Sequence, residues 1–388
     1  MKCSNLFIPI IAIAIGLASC GKTMNKPAPR PPANSTANGV YVLVKGGTTI
    51  NGEFWEDDSN FNSTLAFYDP ATKTVTPDRF SQVNGVSLGW RATDMGIYGS
   101  KLYITMEGEG NITVVDAATT RLIGRTQIAL PPTGLYTSDE PSPVQICFFQ
   151  GSAYIRLINN SIAVMDTATL KITRTITFAK YPLANTIGPV VANGKLYYAG
   201  FNDETGSVLA IDPQTGTVLR QIPTDIGPLS ISADASGRVY VQTMWDSTNL
   251  NFSTTDYIGL TSGITVISSA TDDILYQRAA QVPGNAPIVV AGNNGYYITG
   301  NYANSSIGQF NAATLSFNLT AYNTGFTLGE VTALTADSAS GQLFVGDSRT
   351  TNSPDGTVDV FANQQLQYNF IAGMNLIKII PYQILVTN

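Results

Sequence analysis

None of the 388 residues of this chain is a histidine, and this absence excludes several kinds of catalytic and metal site. Without an imidazole there is no Ser–His nucleophilic pair, no His-ligated zinc and no His-ligated haem. Glycine-rich phosphate loops followed by a helix are missing too. Catalysis would therefore have to use carboxylates, tyrosine or a metal, and the residues indicate neither a catalytic group nor a cofactor.

Two acidic stretches are the candidates for a metal site. Glu53, Glu56, Asp57 and Asp58 lie within six residues, and Glu107 is followed closely by Glu109. Carboxylate oxygens are the ligands that hard cations such as calcium prefer. The spacing matches no calcium loop, however, so we interpret these stretches as solvated acidic loops and predict no metal site.

Large aromatic side chains are concentrated in segments that lack any regular apolar pattern, namely residues 45–63, 81–94, 130–143, 245–262 and 347–356. Aromatic clusters on loops are typical of binding surfaces. The alternative is that the loops fold back and bury these side chains in small cores of their own. Arginines, Arg156 among them, are the candidate polar anchors. The predicted ligand-binding residues are Trp55, Trp90, Trp245, Arg91, Tyr136, Tyr257 and Arg349.

These segments interrupt a repeat whose marker is an Asp-x-x-Thr turn. The marker begins at Asp69, Asp116, Asp166 and Asp212, and degenerate copies begin at Ser268, Asn311 and Ala362. Asp and Thr side chains in such turns bind backbone amides. A shared metal site would not tolerate replacement by Ser, Asn and Ala, so we interpret the marker as structural.

Each repeat contains short runs that alternate apolar and polar residues, as residues 101–128 illustrate with three such runs and no helical pattern. Four strands at a period in the forties predict the blades of a β-propeller. The sequence therefore predicts an all-β, seven-bladed β-propeller over residues 39–388. The first repeat lacks its opening strand, so we expect the C-terminal strand at residues 376–380 to close blade one.

The N-terminal residues predict a lipoprotein signal. Leu6 to Leu17 is an apolar run too short to span a bilayer, and it ends in Leu17-Ala18-Ser19-Cys20. An ordinary secretory signal with an incidental cysteine is the alternative. We predict a signal peptide over residues 1–19 and a flexible tether over residues 20–38. Cys147 is then the one thiol left in the folded body, and we expect a small core residue there.

The charge balance speaks against nucleic acid as a partner. Lys2 is the only charged residue before Cys20, so the processed chain would carry 20 basic and 27 acidic residues, a net charge of −7. Such a balance repels phosphate backbones and anionic lipid headgroups. Membrane association is instead expected through the lipid anchor at Cys20.

Taken with the lipobox, the repeat of the form Lys-Leu-Tyr, Ile-x-Val-x-Asp-x-x-Thr resembles the YncE-like propeller lipoproteins of Bacteroidetes. The segment Phe67-Tyr68-Asp69-Pro70, with Phe80, Val83-Asn84-Gly85 and Leu88-Gly89, is similar to their first blade and the inter-blade segment after it. That group includes BtuG-like surface proteins, which capture cobalamin for a TonB-dependent transporter, and propellers implicated in siderophore capture. The resemblance implies an outer-membrane lipoprotein, at the cell surface or facing the periplasm, and Cys20 as the acylated residue.

Three functions therefore compete. The first is a non-enzymatic protein that captures a bulky ligand, cobalamin-like or siderophore-like, for a TonB-dependent outer-membrane transporter. The second is a propeller enzyme of the lactonase or lyase type, which would depend on carboxylates or a metal. The third is an envelope scaffold that binds only macromolecules. The loop aromatics favour a binding protein, with Trp55, Trp90 and Trp245 on the binding face, and the resemblance implies the ligand class and the transporter of the first function.

Overall fold

The structure, a computed structural model, describes residues 39–45, 48–50, 53–55, 62–128, 141–202, 205–225, 227–243, 263–279, 288–301, 304–348, 356–373 and 375–383. The predicted signal peptide and the tether with Cys20 lie outside these residues. The described residues form seven four-stranded antiparallel sheets, together with one two-stranded hairpin. The predicted all-β, seven-bladed propeller is thereby confirmed.

Blades two, three and four each use four strands that are consecutive in the chain. Their strands are β6 (Ala92–Tyr98), β7 (Lys101–Met106), β8 (Asn111–Asp116) and β9 (Leu122–Gln127); β10 (Pro143–Phe149), β11 (Ser152–Leu157), β12 (Ile162–Asp166) and β13 (Ile172–Ile176); and β14 (Ala184–Ala192), β15 (Lys195–Phe201), β16 (Gly206–Ile211) and β17 (Val218–Thr224).

Blades five, six and seven follow the same order. Their strands are β18 (Pro228–Ala233), β19 (Arg238–Thr243), β20 (Gly263–Ser268) and β21 (Ile274–Ala279); β22 (Val289–Ala291), β23 (Asn294–Asn301), β24 (Asn304–Asn311) and β25 (Ser316–Ala321); and β26 (Val331–Asp337), β27 (Gln342–Asp347), β28 (Thr357–Ala362) and β29 (Gln365–Ile371).

Blade one joins the two ends of the described chain. It orders β30 (Leu376–Tyr382) beside β1 (Gly39–Val44), then β4 (Thr64–Asp69) and β5 (Thr74–Thr76). Tyr41 pairs with Ile380, and Val42 pairs with Ile379, in the antiparallel register. The predicted closure of blade one by the C-terminal strand is confirmed. The first strand of every blade contacts that of the next, and β30 contacts both β6 and β26, so the ring is closed.

The hydrophobic core lies between blades, in seven clusters of described residues that each join two neighbours. Alternation along the second strand of each blade produces this arrangement, because successive side chains point to opposite faces of a sheet. In β1, Val42 packs towards blade seven, whereas Leu43 packs towards blade two. Cys147 packs at the edge of one cluster, as predicted, and burial raises the pKa of its thiol.

Tyrosines tie each of the first four blades to the next one. The Tyr41 hydroxyl donates to the carbonyl of Ala117, 2.8 Å away, in the turn between the third and fourth strands of blade two. The hydroxyls of Tyr103 and Tyr154 donate to the carbonyls of Thr167 and Pro213, in the matching turns of blades three and four. Tyr197 completes the series by donating to Asp272 of blade five. The repeated tyrosine therefore links blades as well as filling the core.

The Asp-x-x-Thr marker forms these turns, as predicted. Asp116 Oδ1 accepts hydrogen bonds from the amides of Ala118 and Thr119 and from the Thr119 hydroxyl, at 3.2, 2.8 and 2.7 Å. Asp166 repeats the pattern, and Asn311 Oδ1 accepts from the Thr314 amide in the degenerate copy. These hydrogen bonds lower the pKa of the Asp116 carboxyl.

Two interruptions of the repeat are more ordered than the sequence predicted. Residues 81–94 were expected to project as a loop, but residues Arg79–Asn84 form helix α1 and β6 begins at Ala92. Asp78 caps the helix by accepting from the Ser81 amide, and Gly85 ends it in the left-handed conformation at φ 68°. In the segment 45–63, the short strands β2 (Thr48–Ile50) and β3 (Glu53–Trp55) pair as a hairpin.

Candidate functional site

The antiparallel order of each blade places two sets of connections on one face of the ring. These are the connections from the second to the third strand and those from one blade to the next, and we call this side the loop face. Of the predicted ligand-binding residues, Trp90 and Arg91 are described there in full. Trp55 is described only as part of β3, while Trp245, Tyr136, Tyr257 and Arg349 lie outside the described residues.

Trp90 lies against blade two. It forms an isolated β-bridge with Asn62, and a Cβ atom at Gly108 would lie 2.5 Å from Cδ2 of its indole. The ring therefore packs directly on the glycine backbone, where any larger residue would displace it. Trp90 is partly buried. Trp90 is therefore used partly for local packing, which was the alternative to ligand binding. The rest of its ring surface is accessible.

Arg91 is positioned by an ion pair as well as by its neighbour in sequence. Its Nη2 lies 3.1 Å from Glu107 Oε1, and its backbone carbonyl accepts from the Glu107 amide at 2.9 Å. The guanidinium carbon lies 5.8 Å from the Trp90 ring centroid. The side chains of Arg91 and Glu107 are 23% and 11% exposed, so the pair is largely shielded from water. The interpretation of Glu107 as part of a solvated acidic loop is therefore wrong, because its carboxylate is buried and paired with an arginine.

Arg156 lies on β11 and not in a loop. Its Nε donates to Gln145 Oε1 at 2.9 Å, and the same oxygen accepts from the Gly188 amide of blade four at 2.8 Å. Gln145 thus holds the guanidinium at the boundary of blades three and four. Burial lowers the pKa of Arg156, although Tyr198, Glu107 and Asp94 act in the opposite direction.

A second ion pair lies on the first strands of blades one and two. Lys378 Nζ of β30 is 3.2 Å from Asp94 Oδ1 of β6, and Asp94 Oδ2 accepts from the Ile146 amide of β10. Sequence reasoning missed both residues. Each could have been noticed as a charged residue inside a largely apolar strand, Asp94 in Ala92–Tyr98 and Lys378 in Leu376–Tyr382. We call Arg91, Asp94, Glu107, Arg156 and Lys378 the loop-face cluster.

Buried polar side chains beyond this cluster are common on the same half of the blades. Asp225, Gln242 and Thr243 of blades four and five are at most 4% exposed. A Cβ at Gly263 would lie 2.5 Å from Asp225 Oδ2 and 2.6 Å from Thr243 Oγ1, so this glycine allows both groups to approach the strand. In blade seven, Asp347 and Asp359 are buried too. Further members of the set are Thr105, Asn111, Thr113, Thr265, Ser348 and Thr357.

These groups do not assemble a recognisable metal centre. Within the described ranges, no three His, Cys, Asp or Glu side chains gather closely enough to hold a metal ion. The acidic run from Glu53 to Asp58 is described only over β3, and its side chains lie outside the described set. The arrangement supports polar recognition of a ligand, with carboxylate, amide and guanidinium groups held in fixed positions.

The closed ring of seven four-stranded blades defines the class of this protein as a seven-bladed β-propeller. Within that class, the chain belongs to the family described as Domain of unknown function (DUF5074), whose model matches residues 45–344. No curated protein matches the sequence. Within the described residues, no helix has the length and apolar character required to cross a membrane.

Solved structures share the fold at low sequence identity. A quinonprotein alcohol dehydrogenase-like protein from Bacteroides thetaiotaomicron is 15% identical with a TM-score of 0.57, over 89% of this chain and 77% of that one. A functionally unknown protein from Desulfotomaculum acetoxidans is 14% identical with a TM-score of 0.55, over 89% and 99%. Hydrazine synthase from Kuenenia stuttgartiensis is 14% identical with a TM-score of 0.55, over 80% and 92%. At these identities the likeness concerns the fold alone.

Proposed function

We propose that this chain is a membrane-anchored, non-enzymatic binding protein that captures a bulky ligand on its loop face. The observation that carries the proposal is the loop-face cluster. Ion pairs join Arg91 to Glu107 and Lys378 of blade one to Asp94 of blade two, and Arg156 of blade three interacts electrostatically with both carboxylates. Arg91 lies beside the partly accessible ring of Trp90. A site of this kind combines an aromatic contact surface with a few fixed polar groups, as small-molecule sites commonly do.

The context of the proposed site comes from the N-terminal sequence. The lipobox that ends at Cys20 and the tether over residues 20–38 would hold the propeller near the outer membrane. We propose that the captured ligand is cobalamin-like or siderophore-like and is passed to a TonB-dependent transporter, as the resemblance to YncE-like lipoproteins implies. The anchor would place the propeller at the cell surface or facing the periplasm.

Capture can be tested with the purified full chain and an extract of the native cell envelope. The protein is incubated with the extract, washed and denatured, and the released small molecules are identified by mass spectrometry. We expect one compound to be enriched on the wild-type chain. We expect the variant W55A/W90A/W245A to lose at least about 90% of it, since aromatic contacts contribute much of the energy of such interfaces.

A matched control is the pair L219A/L275A, which truncates exposed apolar residues on the outer strands β17 and β21. This variant should retain the compound. If the wild-type chain enriches no small molecule, or if the triple tryptophan variant enriches it equally well, the proposed function is wrong. Enrichment of a transporter without any small molecule would instead favour the scaffold.

A further inference from the structure

Arg156 lies on strand β11, and only one of its three guanidinium nitrogens donates a hydrogen bond to the described residues. Its Nε is occupied by Gln145, and the described residues supply no hydrogen bond to Nη1 or Nη2. These two nitrogens carry four N–H donors in a fixed plane. Because Gln145 is itself held by the Gly188 amide at 2.8 Å, the plane of the guanidinium is set by two blades.

The two carboxylates that interact electrostatically with this guanidinium, those of Glu107 and Asp94, are each in an ion pair with another basic residue. Glu107 is paired with Arg91 at 3.1 Å, and Asp94 is paired with Lys378 at 3.2 Å. Of the three cations in the loop-face cluster, Arg91 and Lys378 are each in an ion pair, and Arg156 is in none with the described residues.

A guanidinium that is partly removed from water is costly unless it is paired. The lowered pKa of Arg156, which burial causes, is a sign of the same cost. An anion that accepts two parallel N–H bonds would offset it, and carboxylate and phosphate oxygens match the spacing of the guanidinium fork.

We propose that Arg156 is the recognition residue for an oxyanion, a carboxylate or phosphate group, on the ligand of this propeller. The inference rests on the proposed function, because it names the chemical class of the captured ligand. Arg156 would fix the orientation of the charged end of the ligand through Nη1 and Nη2.

The test uses small probes in place of the unidentified ligand. Benzoate and inorganic phosphate are titrated into the full chain by isothermal titration calorimetry, with benzamide as the uncharged counterpart of benzoate. We expect at least one of the two anions to bind, and benzamide to bind about tenfold more weakly or not at all. Binding of benzoate alone assigns a carboxylate, and binding of phosphate alone assigns a phosphate group.

Substitution then locates the site. R156Q should weaken anion binding by about tenfold or more, and R156K, which keeps the charge but loses the planar fork, should lie between R156Q and the wild type. The matched control is R220Q, which removes the same charge from the exposed outer edge of blade four. Equal binding by the wild type and R156Q, or an equal loss in R220Q, would overturn the assignment.

A second measurement does not depend on how the variants fold. Crystals of the wild type soaked in 4-bromobenzoate should show anomalous bromine density with the carboxylate against Arg156. Density elsewhere, or none, contradicts the proposal. The two proposals also fail separately: if the compound enriched from the envelope is lost in the tryptophan variant but kept in R156Q, ligand capture stands and oxyanion recognition by Arg156 falls.

Discussion

At the scale of single residues, the loop face is built from polar groups that hold one another in place. Arg91 and Glu107 make a largely shielded ion pair, and Trp90 packs on Gly108 beside them. Removing one member of such a pair leaves an uncompensated charge, which costs more than removing both. The pair is therefore a sensitive point for both stability and the position of Trp90.

The substitution E107Q tests this pair. We expect the free energy of unfolding to fall by about 1–3 kcal/mol, since the variant removes the carboxylate charge that Arg91 Nη2 contacts at 3.1 Å in a partly buried position. The double variant R91Q/E107Q should recover part of the loss. Urea unfolding of E107Q, R91Q and the double variant gives the coupling energy, and strictly additive losses would show that the pair contributes nothing.

The buried tyrosines make a second prediction, which concerns alkaline pH. Burial raises the pKa of Tyr103 to about 12, whereas an unfolded tyrosine has a pKa near 10. The unfolded state therefore loses its proton first, so this contribution to stability is complete below pH ~10 and is lost as the pH rises to ~12.

Y103F lacks the titrating group. Its free energy of unfolding should fall less steeply between pH ~10 and ~12 than that of the wild type, by roughly 1–2 kcal/mol, because one pKa unit corresponds to about 1.4 kcal/mol. Denaturant titrations at several pH values measure the difference. Parallel curves for Y103F and the wild type would contradict the assigned role of Tyr103.

At the scale of elements, the turn marker explains how blades one to four and blade six keep the same connection between their third and fourth strands. Asp116 bonds two amides and a hydroxyl, and the same turn offers a carbonyl to the tyrosine of the preceding blade. A turn that is set by local hydrogen bonds therefore also positions the contact between blades. This explains why the marker is repeated although it lies far from the loop face.

Substitution of Asp116 separates its hydrogen bonding from its charge. D116A should lower the free energy of unfolding at pH 7 by about 1 kcal/mol, because it removes the acceptor. D116N should cost less, as Asn311 performs the same task for Thr314. Since the hydrogen bonds lower the pKa of Asp116, the wild type should lose this contribution as the pH falls below ~4, and D116N should not. Equal losses in D116A and D116N would contradict this role.

Some of the secondary-structure elements and their contacts could be predicted from the sequence, and others could not. Alternation and the turn marker predicted the blades and the closing strand, because both depend on local patterns repeated along the chain. Helix α1 was missed although Asp78 and Gly85 are ordinary start and stop signals. The ion pair between Asp94 and Lys378 was not predictable from local patterns, because only ring closure brings β6 and β30 together.

At the scale of the whole molecule, blade one depends on residues from both ends of the described chain. Leu376 and Ile379 of β30 pack towards blade seven, while Ile377 and Ile380 pack towards blade two. β30 thus contributes to two inter-blade cores and covers the edge of β1 that would otherwise be open to pairing with another chain.

Truncation of the chain tests this dependence. A variant that ends at Gly373 should lose its cooperative thermal transition or aggregate, because β1 gains a free edge and two cores lose side chains. A chain that ends at Gln383 keeps all of β30 and serves as the control. Size-exclusion chromatography and thermal unfolding report the outcome, and a soluble, cooperative variant ending at Gly373 would contradict the role of β30.

The pairing of β1 with β30 also has a consequence for the order of folding. Its contacts span almost the whole described sequence, and pairing over such a distance is slow because a long loop must close first. During synthesis, blades two to seven can form from neighbouring strands as each becomes available, but β1 must wait for β30, which follows all the other described strands of the propeller. Until β30 is synthesised, the ring is not closed and the edge of β1 is exposed. We therefore expect the chain to be most prone to aggregation before β30 pairs with β1.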